Sequence, residues 1–192
     1  MTLDQPLFAI AKRIQWNWPD VYGENKLVIL LGGLHIEMAA LKVVGDWLCG
    51  SGWTAVLVQS GVVTSGVADS LLRAAHVKRT RHMHEVTAAS LYVLQRRAYA
   101  IDLPGLSDFH DKLDYNAWCT DMSAKHPQFQ YWDMTMQLQL LLLQLIRSIR
   151  LANFDLYVSF LTRLAHGSLP WITAIMLDGC RCICGICIPY QR

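Results

Sequence analysis

The stretch from Met134 to Ile149 is the strongest constraint on how this chain folds. It is the most apolar segment, interrupted by Gln137, Gln139 and Gln144, and it closes on Arg147 and Arg150. A membrane-spanning helix needs about 20 consecutive, predominantly apolar residues. This shorter, polar-punctuated run is therefore predicted to be a buried core helix within Gln128–Leu151. The composition agrees with much buried surface, or with a chain that packs against more protein. Of the 192 residues, 53% are hydrophobic and 17% charged, which excludes general disorder. The net charge of +2 is too small to imply nucleic-acid binding by itself, so any such case rests on local patches.

The first residues lack the basic and apolar regions of a secretory leader. Six cysteines are present, four of them between Cys180 and Cys187. That is not a disulfide framework and fits a reducing, intracellular compartment. No membrane association is expected.

Along the chain, Asp4 to about Trp16 reads as a helix with Asp4 as its cap, Pro6 in its first turn, and Leu7, Ile10, Ala11 and Ile14 on one face. Trp16–Gly23 reads as a loop. Lys26–Leu31 is a continuous apolar run, read as a strand buried on both faces. A helix follows from about Leu34 to Leu48, with Leu34, Met38, Leu41 and Leu48 predicted to face inward. Trp53–Gln59 reads as a second buried strand. The remainder reads as helical: Ser65–His76, Lys78–Tyr99, Asp108–Ala124, Gln128–Leu151 and Phe154–Ala165, with a loop at Leu103–Ser107. Alternation in the first sixty residues argues for a parallel α/β layer. The boundaries are 1–62 for an α/β core, 63–166 for a helical region and 167–192 for an atypical Cys-rich tail, expected to be non-native or disordered.

Several patterns bear on chemistry. Cys180, Cys182, Cys184 and Cys187 crowd into eight residues without a second knuckle or a nearby His, unlike the usual paired spacing of zinc sites. His82 and His84 stand two apart on a helix, where their side chains diverge; with Arg79 and Arg81 beside them they read as a solvated basic face. No metal site is expected. Lys78, Arg79 and Arg81 cluster at a helix start and Arg96 follows on the same helix, a set suited to phosphate contact and hence to DNA. Acids from Asp102 to Asp114 dilute that field. Gly32-Gly33 lies between strand and helix but lacks the spacing of a phosphate loop.

Asp4 and His35 form the most informative pair. Asp4 opens a helix, where an acid at a strand's C-terminal end would sit if a strand preceded Met1. His35 stands just past the Lys26–Leu31 strand. If those strands are parallel neighbours, both residues lie at the carboxyl edge of the sheet, where open α/β sheets place their chemistry.

This order of parts resembles the middle of an RNase H-like transposase core of the Mutator and hAT kind. The parts are Asp4, a helix with a Leu-Phe-Ala-Ile-Ala core, a Trp/Pro loop, a buried strand, and Gly32-Gly-Leu-His35 opening the next helix. The wording Asp4-Gln-Pro-Leu and Gly33-Leu-His-Ile-Glu-Met-Ala-Ala-Leu-Lys is also similar to an uncharacterised family of animal proteins whose origin this likeness puts in a transposon. That second similarity runs to about Leu164. The resemblance implies a partial RNase H-like α/β fold, a short parallel sheet followed by a mainly helical insertion. It implies that Asp4 matches a metal-binding catalytic Asp and His35 the His of a Cys/Asp-x-x-His motif. Mg²⁺ serves the resembled enzymes, but no cofactor is expected here. Gly32 stands where Cys or Asp belongs, and the other catalytic acids have no counterpart. The expected function is a transposase-derived fragment, catalytically inactive, with weak DNA contact and a nuclear location. The alternative is a helical interaction module that packs on a protein partner or on further segments of a longer protein.

Overall fold

The computed structural model describes residues 2–102 and 111–166. The predicted loop at Leu103–Ser107, the start of the helix predicted at Asp108, and the Cys-rich tail with Cys180–Cys187 lie outside the described residues. Among the described residues the fold is mainly helical with one short parallel sheet.

The sheet consists of β1 (Thr2–Leu3) and β2 (Leu30–Leu31), paired in parallel with Thr2 opposite Leu30 and Leu3 opposite Leu31. Between them run α1 (Gln5–Asn17) and the short α2 (Pro19–Tyr22). Asp4 is extended and caps α1, its carboxylate accepting from the Leu7 amide at 3.2 Å. The Gln15 side chain ties α1 to the returning chain by donating to the carbonyls of Tyr22 (3.1 Å) and Leu27 (2.5 Å).

Lys26–Leu31 forms less strand than its composition predicts. Only its last two residues pair, and only Ile29 is buried, while Leu27, Val28 and Leu30 are exposed. An apolar run becomes a doubly buried strand only where layers cover both of its faces, and among the described residues none does so here.

α3 (Gly33–Leu48) crosses to the main body. Leu41 and Leu48 face inward as predicted, whereas Leu34 and Met38 are 55% and 41% exposed. The buried stripe runs instead through Glu37, Ala40, Leu41, Val44, Gly45 and Leu48. Gly45 marks the closest crossing: a Cβ there would lie 2.8 Å from the Leu72 carbonyl carbon and nearer still to its oxygen.

Trp53–Gln59 is a helix, α4, and not the predicted strand. Its β-branched content favours a strand, but tertiary packing decides otherwise. Trp53 and Leu57, one helical turn apart, are both buried, while the intervening Val56 is exposed. Gly52 supplies the left-handed turn, with φ of +85°, that lets the helix start.

α5 (Ser65–Leu72) and α6 (Val77–Asp102) follow, joined through Ala74, itself left-handed at φ of +51°. Then come α7 (Asp111–Lys125), α8 (Pro127–Arg150) and α9 (Phe154–His166). α8 is the axis of the body and packs against α3, α6, α7 and α9. Its Leu142, Leu145 and Ile146 join Leu41, Val44, Leu48, Leu71 and Phe160 in one apolar core. Pro127 fits the first turn, and Arg147 and Arg150 complement the negative C-terminal end of the helix dipole. No described helix is long and apolar enough to cross a membrane.

Polar bonds fix the register of the helices. The Trp47 indole donates to Thr135 Oγ1 at 2.9 Å, and its ring stacks on Tyr131, whose hydroxyl donates back to the Trp47 carbonyl at 3.0 Å. The Trp53 indole donates to Thr87 Oγ1 at 2.9 Å, joining α4 to α6.

Candidate functional site at the sheet edge

The parallel pairing of β1 and β2 brings Asp4 and His35 to one edge. Asp4 directly follows β1. His35 lies in the first turn of α3, immediately after β2, with its amide donating to the Gly32 carbonyl at 2.9 Å. The Gly32 amide donates to the Leu3 carbonyl at 2.7 Å, stitching the two strand ends together. Gly32 has φ of −60° and ψ of 134°, an ordinary extended conformation open to any residue. A Cβ placed there would sit 3.1 Å from the Leu3 oxygen and 3.6 Å from His35 Cδ2. A side chain at position 32 would thus stand next to the imidazole, at the spacing of a Cys/Asp-x-x-His pair.

The donor set at this edge does not suit a pair of Mg²⁺ ions. Two-metal sites hold ions roughly 4 Å apart and need several carboxylates to do so. Asp4 offers one carboxylate, already engaged as the cap of α1, and Gly32 offers no side chain. Among the described residues no group of three or more His, Cys, Asp or Glu gathers to hold a metal.

The four basic residues read as a phosphate-binding set are divided by the fold. Lys78 and Arg79 are exposed on α6. Arg81 is turned inward, where its Nε and Nη2 donate to Glu37 Oε1 at 2.7 and 2.5 Å. Arg96 lies over the rings of Tyr99 (5.5 Å) and Tyr115 (4.7 Å). Charges spaced along one helix share a surface only when they share a face, and here two of the four are engaged in internal packing.

His84 also departs from the solvated face read for His82 and His84. His82 is exposed and lies 3.4 Å from Glu85. His84 is 0% exposed, stacked flat on Trp53 with Nδ1 3.4 Å from Gln139 Nε2. Burial lowers its pKa to about 4, so it is a neutral core residue near pH 7. Its Nε2, Thr80 Oγ1 and Gln139 Oε1 lack protein partners among the described residues.

Two concavities had no local signature in the sequence. An open apolar groove of about 710 Å³ runs beside α1, bounded by Ile14, Trp18, Tyr22, Leu27 and Ile29. A more polar cavity of about 610 Å³ lies between α6, α7 and α8, with Gln95, Tyr115, Cys119 and Asp133 in its wall. The wall of the second comes from helices as far apart in sequence as Gln95 and Gln137, so spacing gives no warning of it.

No curated protein and no solved structure matches this chain. Residues 1–102 match the model of a family described as a domain of unknown function, DUF8702, and the match spans β1 through α6; the chain belongs to that family.

Proposed function

We propose that this chain is transposase-derived, related to an RNase H-like core of the Mutator and hAT kind, and catalytically inactive. The observation that supports this reading is the parallel register of β1 and β2, with Asp4 and Gly32-x-x-His35 together at the carboxyl edge. A sheet edge of that kind is where α/β folds place chemistry. The substitution of glycine at position 32 and the single carboxylate explain why the edge is vestigial. Weak DNA contact then falls to Lys78 and Arg79, and the working location is the nucleus.

The decisive measurement is nicking of supercoiled DNA by the purified chain with Mg²⁺ or Mn²⁺. The expected result is none. Metal-dependent nicking that disappears in Asp4→Ala would overturn the inactive reading.

A second reading, a helical interaction module, is favoured by a separate observation. Large apolar side chains stay exposed around α1, α2 and β2, among them Trp16, Trp18, Val21, Val28 and Leu30. An apolar surface of that kind marks a place where further protein packs. Cross-linking in cells separates the two: capture of DNA favours the first reading, and capture of one protein through Trp18 favours the second.

A further inference from the structure

We propose that the groove beside α1 is a binding site for a small neutral molecule, an apolar body carrying one N–H or O–H donor, with Gln15 Oε1 as the acceptor. Its volume of about 710 Å³ falls within the range of small-molecule sites, roughly 300–1,000 Å³. The site is separate from the sheet edge and does not depend on the transposase reading.

Ala11, Ile14, Gln15 and Trp18 recur at the spacing of one helix face, so α1 sets a single amide among apolar side chains of the wall. Gln15 Nε2 donates to the carbonyls of Tyr22 (3.1 Å) and Leu27 (2.5 Å), both of them wall residues. A carbonyl only accepts, so these two bonds fix which way round the amide lies. Gln15 is 3% exposed, and its Oε1 is buried without a partner among the described residues. A buried acceptor without a donor is costly. A ligand that donates to it therefore gains more than one that only fills the groove.

The rest of the wall limits the ligand further. Apart from Gln15, Trp18 and Tyr22 it is aliphatic. Trp18 and Tyr22 also carry donors, but both residues are exposed, and water serves such groups with or without a ligand. Lys12, Arg13, Asp20, Glu24 and Lys26 lie close in sequence, yet none of them lines the groove. Lys12 is paired with Glu24 at 2.6 Å, and Lys26 donates to the Asp20 carbonyl. An ion entering this wall would lose hydration without gaining a counter-charge.

The test uses the full chain, with indole and 1-methylindole as probes and ligand-observed NMR titration as the readout. The two have the same ring, but only indole has an N–H. Indole is expected to bind saturably and at least about tenfold more tightly than 1-methylindole. Unspecific adhesion to apolar surface would favour 1-methylindole, the more apolar of the two. Gln15→Met removes the acceptor and is expected to abolish the preference. Because it also leaves the Tyr22 and Leu27 carbonyls without their donor, Ile14→Glu, at a wall position 38% exposed, is the second variant. It puts a charge into the neutral wall and is expected to weaken indole at least about tenfold. The proposal is overturned if indole shows no saturable binding, if 1-methylindole binds as tightly, if folded Gln15→Met keeps the preference, or if Ile14→Glu binds indole undiminished.

Discussion

The His84 ring lies flat on the Trp53 indole, with centroids 5.4 Å apart and planes 7° from parallel. This contact joins α6 to a helix whose sequence favours a strand, and it buries a titratable group in the core. Its consequence is a stability that depends on pH. The folded-state pKa is lowered from 6.5 to about 4, so the unfolded chain binds the proton more readily. The stabilising contribution is therefore complete above about pH 6.5 and is lost as pH falls toward 4. Linkage puts the loss from this residue at about 3 kcal/mol. Urea unfolding between pH 4 and 7 should show that slope, and His84→Phe should flatten it. An identical slope in the variant would remove His84 from the account.

Arg81 is expected to act as a structural residue. Glu37 is almost fully buried and its carboxylate is held by the Arg81 guanidinium. Arg81→Ala leaves a buried charge unpaired, with an expected loss of about 3–5 kcal/mol. Lys78→Ala and Arg79→Ala should leave stability within about 0.5 kcal/mol. If the chain binds DNA through them, each should reduce the slope of log affinity against log salt by about 1. Denaturation and salt-titrated binding of the three variants check both halves.

Gly45 is expected to be intolerant of a side chain. A Cβ there runs into the carbonyl group of Leu72 at the end of α5, and backbone cannot rotate aside as a flexible side chain can. Gly45→Ala should destabilise by about 1–3 kcal/mol through overpacking, despite the better helix propensity of alanine. A midpoint equal to or above that of the native chain would show that α3 and α5 separate easily.

Ala152, in the turn between α8 and α9, should respond in the opposite direction. It is exposed and left-handed, with φ of +47°, a conformation strained for residues bearing a Cβ. Ala152→Gly should raise stability by up to about 1 kcal/mol. Thermal unfolding of the single variant measures it, and a loss would show that the turn is held by more than backbone geometry.

The apolar surface around α1, α2 and β2 should make the isolated chain associate. Trp18, Val21 and Leu30 are exposed there, and among the described residues β1 and β2 pair only with each other. Open edges and apolar patches recruit other chains. Light scattering should show concentration-dependent growth that Trp18→Ser with Leu30→Lys reduces. A monodisperse monomer at high concentration would contradict it.

The sequence by itself determined the features that depend on neighbours a few residues away. The cap at Asp4 and the proline in the first turn place α1. The apolar period identifies α3, α6, α8 and α9, and the Gln-punctuated run of α8 is indeed the axis of the core. The strand, turn and helix around His35 were legible because their order is local, but the strand ahead of Asp4 was expected before Met1 and is instead Thr2–Leu3, brought beside Leu30–Leu31 by pairing across the chain. The tertiary structure decided what depends on partners distant in the chain. Trp53–Gln59 became a helix because Trp53 found Thr87 and His84. Leu34 and Met38 stayed exposed because α8 contacts a different stripe of α3. Arg81 left the basic cluster because Glu37, 44 residues earlier, lies beneath it. The wall of Asp133, Gln95 and Tyr115 exists only where three helices meet. Period and capping follow from the geometry of a single helix, whereas which face is buried, and which charge is neutralised, is set by the element packed against it.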